Sequence, residues 1–99
     1  MDLASIINQP GAVIVDVREP YEFKSGHARN AVNIPLGILP LRLQELPQTG
    51  APVVVYCRSG ARSAQARMLL LSRGFKEVYN GGGLEDMLYY QAQAAQKAA

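Results

Sequence analysis

The feature that most constrains the fold is an unbroken apolar run in the middle of the chain, Pro-Val-Val-Val-Tyr-Cys at residues 52–57. Its β-branched residues favour a strand. A second run, Ala-Val-Ile-Val at residues 12–15, follows a Gln-Pro-Gly turn. Apolar and polar residues do not alternate in this second run, which is typical of a strand with both faces covered. The two runs therefore indicate a parallel sheet with helices on each side.

Helical patterns separate and follow these runs. Asp2 can cap a helix over residues 3–7, and Pro20 suits the first turn of a second, short helix. Three leucines at helical spacing predict another helix, packed on the sheet and ending at the next proline: Leu39, Leu43 and Leu46. Helices are also predicted over residues 64–73 and 84–98.

Further strands are predicted over residues 31–34 and 75–79, and residues 80–83 form a predicted Gly-rich loop. Strands that alternate with helices predict a three-layer α/β fold, with a central parallel sheet of four to five strands flanked by helices. A chain of 99 residues, 48% of them hydrophobic, can bury one core. We therefore expect a single domain over residues 1–99.

The charge balance bears on the class of partner. Ten basic residues against eight acidic ones give a net charge of +2. This balance argues against a nucleic-acid surface or a polybasic membrane patch, but it is compatible with a small anionic substrate. The apolar runs are too short to cross a bilayer, and the N-terminus lacks the order of a signal peptide. A cytoplasmic location is the default expectation, or a periplasmic one if a signal peptide has been removed.

Cys57 is the only cysteine of the chain. It can form no internal disulfide, and neither a zinc site of several thiolates nor a two-cysteine redox cycle is available to it. It lies at the end of a predicted parallel strand and ahead of a helix, where ligands bind in open α/β sheets. We expect Cys57 to be a reactive nucleophile whose chemistry finishes on an external acceptor.

Residues 57–63, here called the cysteine loop, predict an anion-binding site. If their backbone N–H groups curl inwards, these groups and the N-terminus of the next helix would stabilise a thiolate. A tight curl needs the freedom in φ that Gly60 supplies. The candidate substrate-binding residues are Arg58, Ser59, Gly60, Ala61, Arg62 and Ser63.

Within this loop, we expect Arg58 to contact substrate and Arg62 to brace the loop itself. Ser59 and Ser63 either donate to the sulfur anion or cap the helix, and capping is the role expected of Ser63.

Asp16 and Arg18 follow the other buried run and are candidate supporting residues. We expect them to fix the strand-to-helix turn through caps and ion pairs, and Asp16 is a candidate partner for an arginine of the site. The single histidine, His27, is expected to be structural, because an anion-binding loop and a helix dipole can ionise a thiol without a base.

Five segments in order make the chain similar to the single-domain rhodaneses, and in particular to small bacterial rhodaneses of the phage-shock type. They are Asp16-Val17-Arg18-Glu19, Gly26-His27, Asn33-Ile34-Pro35-Leu36, the cysteine loop and Gly81-Gly82-Gly83. The resemblance implies a rhodanese-like fold and a thiosulfate sulfurtransferase in which Cys57 carries sulfur as a persulfide. It also implies cyanide or a thiol as acceptor, a protein persulfide as an alternative donor, and no metal or organic cofactor.

Two other functions stay open. Cysteine-dependent phosphatases and arsenate reductases also place a thiolate in an anion-binding loop that ends in arginine. Their loop is one residue longer than the four residues between Cys57 and Arg62, and a smaller ring suits a sulfur atom better than a phosphoryl group. The other alternative is a non-catalytic rhodanese-like module that binds a protein partner, although such modules usually lack the cysteine.

Overall fold

The computed structural model describes the backbone of residues 2–98 and the side chains of residues 2–93. Within these residues a four-stranded sheet has the order β2-β1-β3-β4, and every neighbouring pair is parallel. The strands are β1 (Val13–Asp16), β2 (Val32–Asn33), β3 (Val53–Cys57) and β4 (Val78–Gly83). The predicted α/β class and parallel sheet are confirmed.

Helices cover both faces of this sheet. They are α1 (Leu3–Ile7), α2 (Pro20–Ser25), α3 (Ala61–Ser72) and α4 (Leu84–Ala98). Ala66 of α3 packs with Val55 and Cys57 on one face. Met87 of α4 packs with Val54 on the other face, where α1 lies beside α4. Because successive strand residues point to opposite faces, β3 contributes to both halves of the core.

The leucine-rich segment is not the α-helix that its spacing predicts. It forms two 3-10 turns, Leu36–Leu41 and Leu43–Glu45. Pro40 lies inside the first turn and has no N–H to donate to an α-helical ladder. Leu39 and Leu46 are nevertheless buried, so the core positions were predicted correctly although the helix was not.

The fourth strand lies further along the chain than predicted, because residues 80–83 belong to β4 and not to a loop. Its register with β3 shifts between Val55 and Cys57, so that Cys57 pairs with Gly83. Gly81 has room for no side chain, since a Cβ there would collide with Met87 and come within 3.1 Å of Val54. Because these positions are glycines, the strand can continue through a closely packed region where the sequence alone suggests a turn.

Candidate active site

The thiol of Cys57 lies at the end of β3 and is almost fully buried, with 1% of the residue exposed. Its Sγ accepts a hydrogen bond of 3.0 Å from the backbone N–H of Gly60. The Ser63 hydroxyl lies 3.5 Å from the same sulfur and 2.7 Å from Asn80 Oδ1, and it donates its single proton to one of these two acceptors at a time. The cysteine loop thus turns its donors towards the sulfur atom.

These donors control the ionisation of Cys57. Burial alone raises the pKa of the thiol, but hydrogen bonds from the Ser63 hydroxyl and from the backbone N–H groups of Ser63, Ser59 and Gly60 outweigh burial and lower the pKa to about 7. A free cysteine has a pKa of about 8.5. A large fraction of Cys57 is therefore thiolate at neutral pH.

The backbone at Gly60 gives the cysteine loop its shape. Gly60 has φ of 103° and ψ of −10°, in the left-handed region that favours glycine, and it is the N-cap of α3. The helix consequently begins at Ala61 and not at residue 64 as predicted. Its N-terminal N–H groups face the sulfur end of the loop, where the helix dipole also favours negative charge.

Asn80 of β4 holds the cysteine loop in place; the sequence suggested residues 80–83 as a rim of the pocket or a plain Gly-rich turn, and it did not predict this contact. Its Oδ1 accepts hydrogen bonds from the Ser63 hydroxyl at 2.7 Å and from the Gly82 N–H at 2.9 Å. Its Nδ2 donates to the Gly60 carbonyl oxygen at 3.1 Å. Ser63 therefore does not cap α3, as the sequence suggested, but lies within it. A polar residue directly after the strand predicted over residues 75–79 was the available signal.

The two arginines of the cysteine loop have different surroundings. Arg62 donates to both carboxylate oxygens of Glu22 in α2, at 2.8 and 3.0 Å. The hydrogen bond from Arg62 lowers the pKa of Glu22 to about 2, and the same pair raises the pKa of Arg62. Glu22 also accepts from the Glu19 N–H at 3.0 Å. Arg62 thus ties the loop to the start of α2, whereas Arg58 is exposed and makes no ion pair among the described residues.

Asp16 pairs with Arg18, the other candidate supporting residue. The Arg18 Nη2 lies 2.7 Å from Asp16 Oδ2, and both residues are buried. Asp16 also accepts from the Arg18 N–H at 2.9 Å and from the Tyr56 hydroxyl at 2.7 Å. Arg18 in turn donates to the Gly26 carbonyl oxygen at 2.7 Å. This network fixes the turn between β1 and α2.

The His27 ring contacts Phe23 of α2. The two rings stack with centroids 3.7 Å apart, and His27 Nδ1 is 2.8 Å from the Phe23 carbonyl oxygen. The ring therefore closes the end of α2.

A cavity of about 620 Å³ lies beside the cysteine loop, at the carboxyl edge of the sheet. Its walls come from α2, from the residues after β3 and from the start of α4. Cys57 itself does not line the cavity, but Arg58, the next residue, does, and so does Gly83, its partner in the sheet. The buried sulfur thus lies one residue away from a space open to ligands.

Residues 1–87 match the family described as Rhodanese-like domain, so the chain belongs to the rhodanese-like family. The thiosulfate sulfurtransferase PspE of Escherichia coli K12 is 38% identical over 74 residues, which are 74% of this chain and 71% of that protein. A solved structure, a rhodanese with anions from E. coli, superimposes with a TM-score of 0.71 at 37% identity, covering 76% of this chain and 89% of that one.

Other relatives are longer than this chain. A sulfurtransferase of Allochromatium vinosum is 41% identical over 68 residues, which are 69% of this chain and 63% of that protein. The chain thus spans less than two thirds of that relative, and it spans 54% of a Bacillus subtilis relative. A tRNA uridine(34) hydroxylase of Hamiltonella defensa is 35% identical over 91 residues, 85% of this chain but only 26% of that protein.

Two further kinds of feature do not occur in the described part of the chain. No helix there is both long and apolar enough to cross a membrane. Nor do three His, Cys, Asp or Glu side chains come together there as a possible metal site.

Proposed function

We propose that this protein is a sulfurtransferase in which Cys57 carries a transferable sulfur atom as a persulfide. The observation that carries the proposal is the sulfur at the end of β3, which accepts a hydrogen bond from the Gly60 N–H at 3.0 Å and has the Ser63 hydroxyl 3.5 Å away as a second donor that it shares with Asn80. Such donors stabilise a thiolate, and they would equally stabilise the terminal sulfur anion of a persulfide. Membership of the rhodanese-like family supports this chemistry.

In the first half-reaction the Cys57 thiolate attacks the outer sulfur of thiosulfate. The new bond joins Sγ to that sulfur, and the sulfur–sulfur bond of thiosulfate breaks so that sulfite leaves with the bonding electrons. Charge balances, because one thiolate and one thiosulfate dianion give one persulfide anion and one sulfite dianion. Arg58, which follows Cys57 in the chain and is exposed on the cavity wall, would contact the sulfonate oxygens of the donor.

In the second half-reaction cyanide or a thiolate attacks the outer sulfur of the persulfide. The bond between Sγ and the outer sulfur breaks, Cys57 leaves as the thiolate, and thiocyanate or a new persulfide departs. The loop donors hold one negative charge at the start and at the end of the cycle. Arg62 keeps the loop in position through Glu22, and Asn80 does so through Ser63 and Gly60.

Intact-protein mass spectrometry tests the proposal. Incubation with thiosulfate should leave the protein heavier by one sulfur atom, and cyanide should then remove that atom and release thiocyanate. Cys57→Ser should show neither change, because a hydroxyl forms no persulfide. A folded wild-type protein with a free thiol that never gains mass would count against thiosulfate as donor.

The same samples address the alternatives. A cysteine-dependent phosphatase would hydrolyse a chromogenic phosphate, an arsenate reductase would reduce arsenate while an added thiol is oxidised to its disulfide, and neither would gain sulfur. A non-catalytic binding module would bind its protein partner equally well as wild type and as Cys57→Ser. The position of Arg62, engaged with Glu22, supports sulfur transfer over phosphoryl transfer, since the arginine at the end of a phosphatase loop must be available to the substrate oxygens.

A further inference from the structure

The Ser63 hydroxyl has one proton and two acceptors within reach. Asn80 Oδ1 lies 2.7 Å from the hydroxyl oxygen, and the Cys57 sulfur lies 3.5 Å from it. The first distance is ordinary for an O–H···O bond, and a hydroxyl donates its proton to only one of two such acceptors at a time. Because Ser63 is fully buried, the two acceptors compete for this proton without bulk solvent.

The amide of Asn80 is held with its oxygen, and not its nitrogen, towards the Ser63 hydroxyl. Oδ1 also accepts from the Gly82 N–H at 2.9 Å, and Nδ2 donates to the Gly60 carbonyl oxygen at 3.1 Å. A flipped amide would turn its NH2 group to the Gly82 N–H and its oxygen to the Gly60 oxygen, and both hydrogen bonds would be lost. Asn80 therefore presents an acceptor to Ser63 in every state of the sulfur.

The charge on the Cys57 sulfur decides which acceptor receives the proton. A neutral thiol is a weak acceptor, so the Ser63 hydroxyl then donates to Asn80. A thiolate accepts more strongly because the hydrogen bond is charge-assisted, so the hydroxyl turns towards Sγ. Asn80 Oδ1 keeps the Gly82 N–H as a donor after this turn, so no buried acceptor is left unsatisfied.

We infer that Asn80 is a positioning residue that competes with the Cys57 sulfur for the Ser63 proton, so that this donor serves Sγ when Sγ is charged and returns to Asn80 when it is not. Its use in the cycle rests on the proposed function. Sγ is a thiolate before it attacks the sulfur donor and again after an acceptor has taken the outer sulfur. In between, the charge lies on the outer sulfur of the persulfide and Sγ is neutral. The Ser63 hydroxyl thus follows the charge of Sγ through turnover.

A double-mutant cycle with the pKa of Cys57 as its readout tests the competition. The rate of iodoacetamide alkylation is measured against pH with and without Ser63→Ala in wild type, in Asn80→Ala and in Asn80→Asp. Ser63→Ala should raise the pKa most in Asn80→Ala, where the hydroxyl has lost its other acceptor. It should raise the pKa least in Asn80→Asp, whose carboxylate accepts more strongly than an amide. The increases in these two backgrounds should differ by about 0.5 to 1 in pKa, the equivalent of one ordinary hydrogen bond.

The charged groups around the sulfur cancel in these comparisons, because each increase in pKa is measured within one background. Arg62 interacts electrostatically with Cys57. The charged side chains on the surrounding elements are Arg58 in the loop, Arg62 of α3 with Glu22 of α2, Asp86 at the start of α4, and Asp16 with Arg18 after β1. The charge that Asn80→Asp adds is likewise present with and without the Ser63 hydroxyl.

A role for Asn80 in bracing the loop alone predicts a different order. Both Asn80 variants lose the hydrogen bond to the Gly60 carbonyl oxygen, so bracing alone would change the effect of Ser63→Ala in the same direction in both variants, or in neither. Either result would overturn the inference. Should Asn80→Ala not fold, Asn80→Asp still overturns the inference if Ser63→Ala raises the pKa there as much as in wild type.

Asn33→Ala is the matched control. It removes an asparagine at the same edge of the sheet, whose Nδ2 donates to the carbonyl oxygens of Asp16 and Arg18, and it should leave the effect of Ser63→Ala on the pKa unchanged. A change as large as that in the Asn80 variants would also overturn the inference. Alkylation needs no sulfur donor, so a failure to load persulfide would count against the proposed function and leave the alkylation result unaffected.

Discussion

Two strand-to-helix turns lie side by side at the carboxyl edge of the sheet, one after β1 and one after β3. The first turn is filled by the side chain of one of its own residues, Asp16. The Asp16 carboxylate accepts hydrogen bonds from the Arg18 N–H, from the Arg18 guanidinium and from the Tyr56 hydroxyl. The second contains no carboxylate, and its donors turn instead towards the Cys57 sulfur. The same topology therefore makes a structural turn where the sequence supplies a carboxylate, and a reactive one where it supplies a thiol.

Asp16→Asn should have the largest effect on stability, because it removes the charged partner of the buried Arg18 guanidinium. Loss of one partner of a buried ion pair costs about 3–5 kcal/mol. Urea unfolding would measure the free energy of unfolding. The control is Glu45→Gln, which removes the partner of Arg42 from a surface pair and should change stability little. Equal changes in the two variants would show that the filled turn has no special structural role.

Gly83→Ala should disturb the second turn by contact, because a Cβ at Gly83 would overlap the carbonyl oxygen of Arg58. Overpacking of this kind costs about 1–3 kcal/mol, and the displaced peptide should slow persulfide formation. Gly37→Ala is the matched control, since no atom lies within 4 Å of the position that a Cβ would take there. Unfolding and thiosulfate loading would be measured for both. If loading is normal in Gly83→Ala, the β4 end does not position the cysteine loop.

Variants of the two serines in the cysteine loop distinguish a hydrogen bond donated to Sγ by a side chain from one donated by the backbone. Ser63→Ala removes a hydroxyl donor 3.5 Å from Sγ that the sulfur shares with Asn80, and it should raise the pKa of Cys57 from about 7 towards the ~8.5 of a free thiol. Ser59→Ala keeps its backbone N–H and should leave the pKa in place. The rate at which iodoacetamide alkylates Cys57, measured against pH, would show this difference. Ser63→Ala should react more slowly than the wild type at pH 7 and approach the wild-type rate at high pH. Coincident profiles for the two variants would contradict a role for the hydroxyl.

The pair between Glu22 and Arg62 should give the smallest effect, of about 1 kcal/mol, because it is partly exposed. Hydrogen bonding from Arg62 lowers the pKa of Glu22 to about 2, whereas an unfolded glutamate has a pKa of about 4.3. The stabilisation is thus present above about pH 5 and is lost as pH falls through about 2. The difference in free energy of unfolding between wild type and Glu22→Gln should follow this profile. A difference independent of pH would mean that packing, not charge, holds the pair.

The sequence predicted those parts of the fold that short segments determine. The runs at residues 12–15 and 52–57 were sufficient for a parallel sheet with Cys57 at the end of a strand, and Asp2 caps α1 as expected. Leucine spacing predicted burial correctly but not the helix type, because one proline changes the backbone without changing which positions face the core.

The supporting contacts of the site could not be predicted in the same way. Glu22 meets Arg62 across 40 positions of sequence, and Asn80 meets Ser63 across 17. Neither contact has a local pattern, since both depend on how the sheet brings its loops together. The strand at residues 80–83 was missed for a related reason: its glycines are explained by Met87 and Arg58, which approach it in space.

The burial of Cys57 bears on how the protein withstands oxidation. A disulfide between two copies would need their sulfurs to come within about 2.0 Å, yet each sulfur lies beneath its own loop with 1% of the residue exposed. Ionisation makes a thiol prone to oxidation, but a second folded chain needs far more room to approach than a narrow anion. We therefore expect burial alone to disfavour loss of this acidic thiol as covalent dimers.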